Sequence, residues 1–169
     1  MTIKIRSESP SDVTAIAAVT EAAFLNAPHT SHTEQFIANA LRKAGMLSVS
    51  LVAEDHGAIV GHVAISPITI SDGSSGWYIL GPISVTPDRQ GLGIGSQLVK
   101  QALTELSKLA ASGCVLVGNP NYYGRFGFKP EPALVLPDVP PEYFQAISFG
   151  TEIPTGIVTS HEAFNADKK

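Results

Sequence analysis

Three glycines spaced by two, Gly91, Gly93 and Gly95, stand between a strand-like segment and the clearest helical pattern in the chain. Without side chains, several backbone N–H groups of such a segment converge, and the start of the following helix adds partial positive charge. The segment therefore suits a phosphate or pyrophosphate, or else is a tight strand-to-helix turn without a ligand. The helix shows an apolar stripe of Leu98, Val99, Ala102, Leu103, Leu106, Leu109 and Ala110, and Gly113 is expected to end it. Two common phosphate motifs fail on inspection. A P-loop needs Lys and then Ser/Thr after its last glycine, where this chain has Ser96-Gln97. A dinucleotide fingerprint needs its third glycine at position 96 and an acidic residue at the end of the next strand, which here closes on Gly118-Asn119.

The flanking sequence predicts an alternation of helices and strands. Thr2 to Arg6 alternates as a strand. Ser9, Pro10 and Asp12 form a capping signature before a helix through Phe24, and Ser31 with Glu34 forms a second before a helix that ends at Gly45. Ser48 to Glu54 and Ala58 to Ile70 read as a hairpin around Asp55-His56-Gly57, the second strand interrupted at Pro67. Trp77 to Val85 is a strand containing Gly81-Pro82, a dipeptide that weakens pairing and marks a bulge. Cys114 to Val117 reads as a short buried strand, and Asn119-Pro120 opens a short helix carrying Tyr122, Tyr123 and Phe126. Beyond Phe128 we expect a strand near Ala133 to Leu136, a helical turn near Glu142 to Ile147, and a last strand from Gly156 to about His161.

Composition removes several classes of function. With 169 residues, 44% apolar and 15% charged, the chain has the length and composition of one folded domain, 1–169. A net charge of −4, a pI near 5.7 and no run of Lys/Arg give no footprint for nucleic acid. One cysteine forms no internal disulfide, and the Cys/His spacings of a metal site are absent, which is compatible with a cytoplasmic protein. No apolar run approaches the ~18–20 residues needed to cross a bilayer, and the N-terminus reads as lacking a targeting segment.

What does fit is Gln/Arg-x-x-Gly-x-Gly/Ala, as Gln90, Gly93 and Gly95, after a bulged strand, together with Tyr-x-x-x-Gly-Phe, as Tyr123 to Phe128. In this order and spacing the two resemble the GNAT superfamily of N-acetyltransferases, closest to its YhbS-like branch. The stretches Ser50 to Glu54, Gly61 to Val63, Leu80 to Pro82, Arg89 to Gly95 and Tyr122 to Phe128 carry the likeness. It implies an α/β (α+β) single-domain fold with a mixed, mostly antiparallel central sheet, splayed at a bulge and flanked by helices. It also implies acetyl-CoA as co-substrate, with the pantetheine arm beside Ile83, Ser84 and Val85. The pyrophosphate would then rest on Gln90, Gly91, Leu92, Gly93, Ile94, Gly95 and Ser96, and Asn119 would lie near the cofactor.

The implied reaction is direct attack of a primary amine on the thioester, with Tyr123 protonating the departing sulfur and Tyr122 second to it. An alkyl amine has a pKa near ~10 and must lose a proton first. The strand Trp77 to Val85 lacks the Glu that many relatives carry there. The base is therefore either a water relay held by backbone carbonyls and Ser84, or His62 or Glu54 on the preceding hairpin. Cys114, in an apolar strand, reads as a small hydrophobe rather than a nucleophile. The acceptor, a small molecule or peptide amine, is set by Asn26 to Thr33, with His29 and His32, and by Pro137 to Pro154. A homodimer is expected because relatives often dimerise. The competing reading is an acyl-CoA-binding or sensing module without catalysis.

Overall fold

Alternating apolar residues make β2 (Val49–Asp55), β3 (Ala58–Ile70) and β4 (Trp77–Val85) the antiparallel centre of a nine-stranded sheet in the computed structural model, which describes residues 2–27, 30–150 and 152–167. On one side β1 (Lys4–Ser7) pairs with β2. On the other, β4 pairs in parallel with β5 (Gly113–Val117), which pairs with β8 (Phe144–Ser148), and β8 with β6 (Lys129–Pro130). Strand β9 (Gly156–Ser160) joins the far end of β3 and pairs with β7 (Leu134–Val135). The sheet is thus mixed and mostly antiparallel, as the family resemblance implied.

Helices cover both faces. Helix α3 (Ile94–Lys108) buries Leu98, Val99, Ala102 and Leu106 against Leu51, Val63, Ile65 and Leu116. Burying each of its leucines stabilises the fold by about 1.5–3 kcal/mol. Helix α1 (Val13–Phe24) packs on β3 and β4, and α2 (Glu34–Lys43) packs on α1. Because side chains alternate along a strand, Val63 and Ile65 face α3 while His62, Ala64 and Ser66 face the opposite layer. No helix among the described residues is long and apolar enough to cross a membrane.

The bulge falls where the sequence placed it. Register runs Gly61 to Val85, His62 to Ser84 and Val63 to Ile83, then jumps to Ile65 with Leu80, so β4 carries one extra residue at Gly81-Pro82, a cis peptide. Strands β4 and β5 stay paired only through Trp77–Gly113, Tyr78–Cys114 and Ile79–Val115. Past those three pairs they part.

Four expectations need correction. Pro67 does not interrupt β3. Ile65 accepts from Ser48 on the β2 side, so the Pro67 nitrogen faces the gap between the end of β2 and the start of β9, where no donor is required. Gly113 does not end α3. Ala110, with φ 57°, makes that turn, and Gly113 opens β5. Ser31 does not box with Glu34, because Thr33 occupies the cap position and Thr30 donates to Glu34. The helical turn expected at Glu142 to Ile147 is a single 3-10 turn, Pro141–Tyr143, followed by β8, whose Phe144 and Ala146 alternate into the core.

Gly113 sits at the closed end of the two central strands, opposite the end where they part. A Cβ there would lie 2.3 Å from Trp77 Cη2 and 2.7 Å from the Ile147 carbonyl, one of them backbone that cannot yield. We expect Gly113→Ala to lower unfolding free energy by about 1–3 kcal/mol in chemical denaturation. An unchanged midpoint would show that the close approach does not govern this junction.

Candidate active site

The parting of β4 and β5 opens a cleft of about 480 Å³ lined by Ile83, Ser84 and Val85 from β4, by Gln90, Gly91, Gly93, Ile94, Gly95 and Ser96, and by Tyr122, Tyr123 and Arg125. Strand end, glycine segment and short helix are thereby brought together, as the family resemblance implied. Gly91 and Gly93 have φ of 79° and 87°, a region that L side chains rarely adopt, and Gly93 caps α3. This turn leaves the first N–H groups of α3 facing the cleft side of the helix start, where they suit an anion. Gln90 donates through Nε2 to the Val85 carbonyl at 3.0 Å, tying the glycine segment to the end of β4.

Helix α4 (Pro120–Tyr123) begins where β5 ends. Asn119 accepts the Asn121 N–H at 2.9 Å, and the helix continues as a 3-10 turn over Gly124–Phe126. Tyr123 packs edge-on to Tyr122, with centroids 4.8 Å apart, and against Phe128. Gly118 makes room for it, since a Cβ there would sit 2.4 Å from the Tyr123 ring. Burial, reinforced by Tyr122, pushes the Tyr123 phenol up to about 12, so it is a protonated donor at neutral pH. Tyr122 Oη lies 3.2 Å from Ser96 Oγ and its ring carries the Arg125 guanidinium at 4.6 Å.

The remaining site expectations divide. Leu92 is 53% exposed and does not line the cleft. Asn119 lines a neighbouring, larger cavity of about 910 Å³ with Val117, Val139, Pro140 and Tyr143. Ser84 is buried with its hydroxyl unpartnered among the described residues, and its register partner His62 is buried beside it. Burial holds His62 down at about 4 and therefore neutral. Glu54 is held by Arg6 at 3.0 Å, in an ion pair that also takes Asp12, and does not line the cleft. Cys114 is fully buried and its thiol is pushed up, which suits a hydrophobe. His32 has φ 60° in the connection before α2, while His29 lies outside the described residues.

Sequence reasoning missed Arg125 as a cleft residue, and Arg89, which joins it at the rim paired to Asp55. Arg125 stands inside the Tyr-x-x-x-Gly-Phe motif, and a cation there was the available signal.

Residues 47–130 match the model of the acetyltransferase (GNAT) domain. The Escherichia coli (strain K12) protein described as uncharacterized N-acetyltransferase YhbS is 33% identical over 126 residues, 74% of this chain and 72% of its own length. Among solved structures, a GNAT family acetyltransferase from Brucella melitensis in complex with acetyl-CoA is 45% identical with TM-score 0.86, over 96% of this chain and 98% of that one. Escherichia coli YhbS in complex with CoA is 31% identical with TM-score 0.87, over 97% and 92%. With this fold, this cleft and these relatives, the chain belongs to the GNAT family of acetyltransferases.

Proposed function

We propose that the protein, over the whole of 1–169, is an N-acetyltransferase that moves the acetyl group of acetyl-CoA to a primary amine by direct attack. The observation that carries this reading is the neutral Tyr123 phenol at the cleft where β4 and β5 part. Acetyl-CoA is the co-substrate. Similar proteins were crystallised with acetyl-CoA or CoA, and the lining here fits it: strand backbone at Ile83 to Val85 for an amide-bearing arm, and glycine-turn N–H groups with Arg89 and Arg125 near a diphosphate. The non-catalytic sensor gives way to an enzyme, because the relatives are acetyltransferases and the proton donor is retained.

In the reaction the amine nitrogen forms a bond to the acetyl carbon and the carbon–sulfur bond breaks. Tyr123 gives its proton to the sulfur. The acceptor ammonium gives up two protons in all, one restoring Tyr123 and one leaving to solvent. Ser84 and His62, register partners on the face opposite α3, are the groups we assign to take up that second proton. A single buried thiol and the co-substrate both suit a cytoplasmic setting.

Free thiol release from acetyl-CoA is to be followed with a panel of 2-phenylethylamine, spermidine and a lysine-containing peptide. Turnover above the uncatalysed rate with at least one amine is expected, and none with any would contradict the reading. Tyr123→Phe keeps the ring packing, so kcat should drop about 10–100-fold with the KM for acetyl-CoA within about twofold. An equal kcat would remove Tyr123 from the mechanism.

The anion seat has its own test. Gly95→Asp adds a carboxylate at the helix start, with its Cβ 3.1 Å from Tyr122 Oη. Calorimetric titration should find CoA affinity lowered about 100-fold with the melting transition retained. Unchanged affinity would move the diphosphate elsewhere.

A further inference from the structure

The proton that leaves the acceptor needs a route to water once the cleft is filled, and a line of polar side chains crosses the sheet from the cleft wall at Ser84. His62 is 1% exposed on β3, and its Nε2 lies 2.8 Å from Ser50 Oγ on β2. The Ser50 hydroxyl donates to the Glu8 carboxylate. A hydroxyl has one proton, so at the His62 contact the ring donates, which fixes the neutral Nε2–H tautomer and leaves Nδ1 as an acceptor. Glu8 is gripped by Arg42, through Nε at 2.8 Å and Nη2 at 2.7 Å.

The two ends of this line open on different cavities. Ser50, Glu8 and Arg42 line a groove of about 410 Å³ at the end of the sheet, on the side away from the glycine turn. At the other end, His62 pairs in register with Ser84, which lines the cleft. Cross-strand partners on one face hold their Cβ atoms about 4.5–5.5 Å apart. Ser84 is 2% exposed and its buried hydroxyl has no hydrogen-bond partner among the described residues, an unfavourable arrangement that an arriving group would relieve.

We propose that Ser84, His62, Ser50 and Glu8 form a proton path from the reaction cleft to the solvent groove, with Glu8 the group that hands the acceptor's proton to water. This rests on the amine-acetyltransferase reading above. In each turnover the Ser84 hydroxyl, unbonded in the resting site, turns onto the ring, takes a proton from the nitrogen and gives its own to His62 Nδ1. The Nε2 proton passes to Ser50, the Ser50 proton to Glu8, and Glu8 releases it to water. A flip of the imidazole and rotation of the hydroxyl reset the line, so no charge stays on the buried ring.

The surrounding charges agree with these roles. Burial raises the Glu8 carboxyl, but hydrogen bonds from Arg42 and Ser50 outweigh it and hold the group below its ordinary value, ionised and quick to pass a proton on. Around the ring, β2 supplies Ser50, the segment after β1 supplies Glu8, α2 supplies Arg42 and β4 supplies Ser84. Helix α1, which covers these strands, carries one charged residue, Glu21, and that is exposed.

Ser50→Ala cuts the line and leaves the Glu8–Arg42 pair in place, and Ser50→Thr restores the hydroxyl. With each panel amine that the wild type acetylates, kcat is to be measured from pH 6.5 to 9.5. We expect Ser50→Ala to lower kcat about tenfold or more below pH 7.5, with the KM for acetyl-CoA unchanged. The deficit should narrow steadily towards pH 9.5, where about a quarter of an alkyl amine arrives deprotonated, and Ser50→Thr should recover most of the loss. A deficit equal at all pH values, or no deficit, overturns the path while leaving acetyl transfer intact. Absence of wild-type turnover with every amine overturns the amine reading itself, and the path with it.

Discussion

Beyond Ile79 and Val115 the two central strands of the sheet stop pairing, and the functional geometry depends on that separation. Backbone N–H and C=O groups away from water require partners, so strands that part inside a sheet leave a slot fitted to an extended ligand carrying amides of its own. Three features of the chain hold the slot open. The extra residue at Gly81-Pro82 shifts the register of β4 against β3. The Gly113–Trp77 contact anchors the closed end, and the start of β5 is sandwiched between β4 and β8. The turn at Gly91 and Gly93 then places the start of α3 at the open end.

The same separation distributes the chemistry between the two faces of the sheet. Ile83 and Val85 lie toward α3, with the glycine turn and Tyr123. Ser84, between them, looks to the opposite layer with His62. Tyr123 on the α3 side is thus set apart from the polar pair on the other face. In the proposed reaction, Tyr123 and the Ser84–His62 pair would therefore act from opposite faces of that strand. The polar groups on the far face are buried because α1 packs there, and burial keeps His62 uncharged.

Much of this was legible in local sequence. The glycine spacing, the Gly81-Pro82 dipeptide and the Asn119-Pro120 start each impose their conformation within a few residues, and the structure keeps all three. What failed depended on partners distant in sequence. Phe144 to Ile147 is too short for periodicity to separate helix from strand, and pairing with β5 decides it. Pro67 looked like a break because the gap between β2 and β9 cannot be seen from one strand. Glu8 and Arg42 gave no sequence signal and Ser50 none beyond the family likeness of its stretch, because the three meet across separations of 34 and 42 residues. Asn119 reads equally as cap or cofactor ligand, and its geometry is that of a cap.

The central claim is that the slot between β4 and β5 receives acetyl-CoA and presents its thioester to Tyr123. A crystal structure of the protein with acetyl-CoA bound tests this most directly. The account expects the pantetheine amides to hydrogen-bond the β4 backbone at Ile83 to Val85, and the diphosphate to accept from N–H groups between residues 90 and 96. The Tyr123 hydroxyl should lie within about 3.5 Å of the sulfur. Acetyl-CoA bound outside the slot, or a sulfur beyond reach of Tyr123, would contradict it.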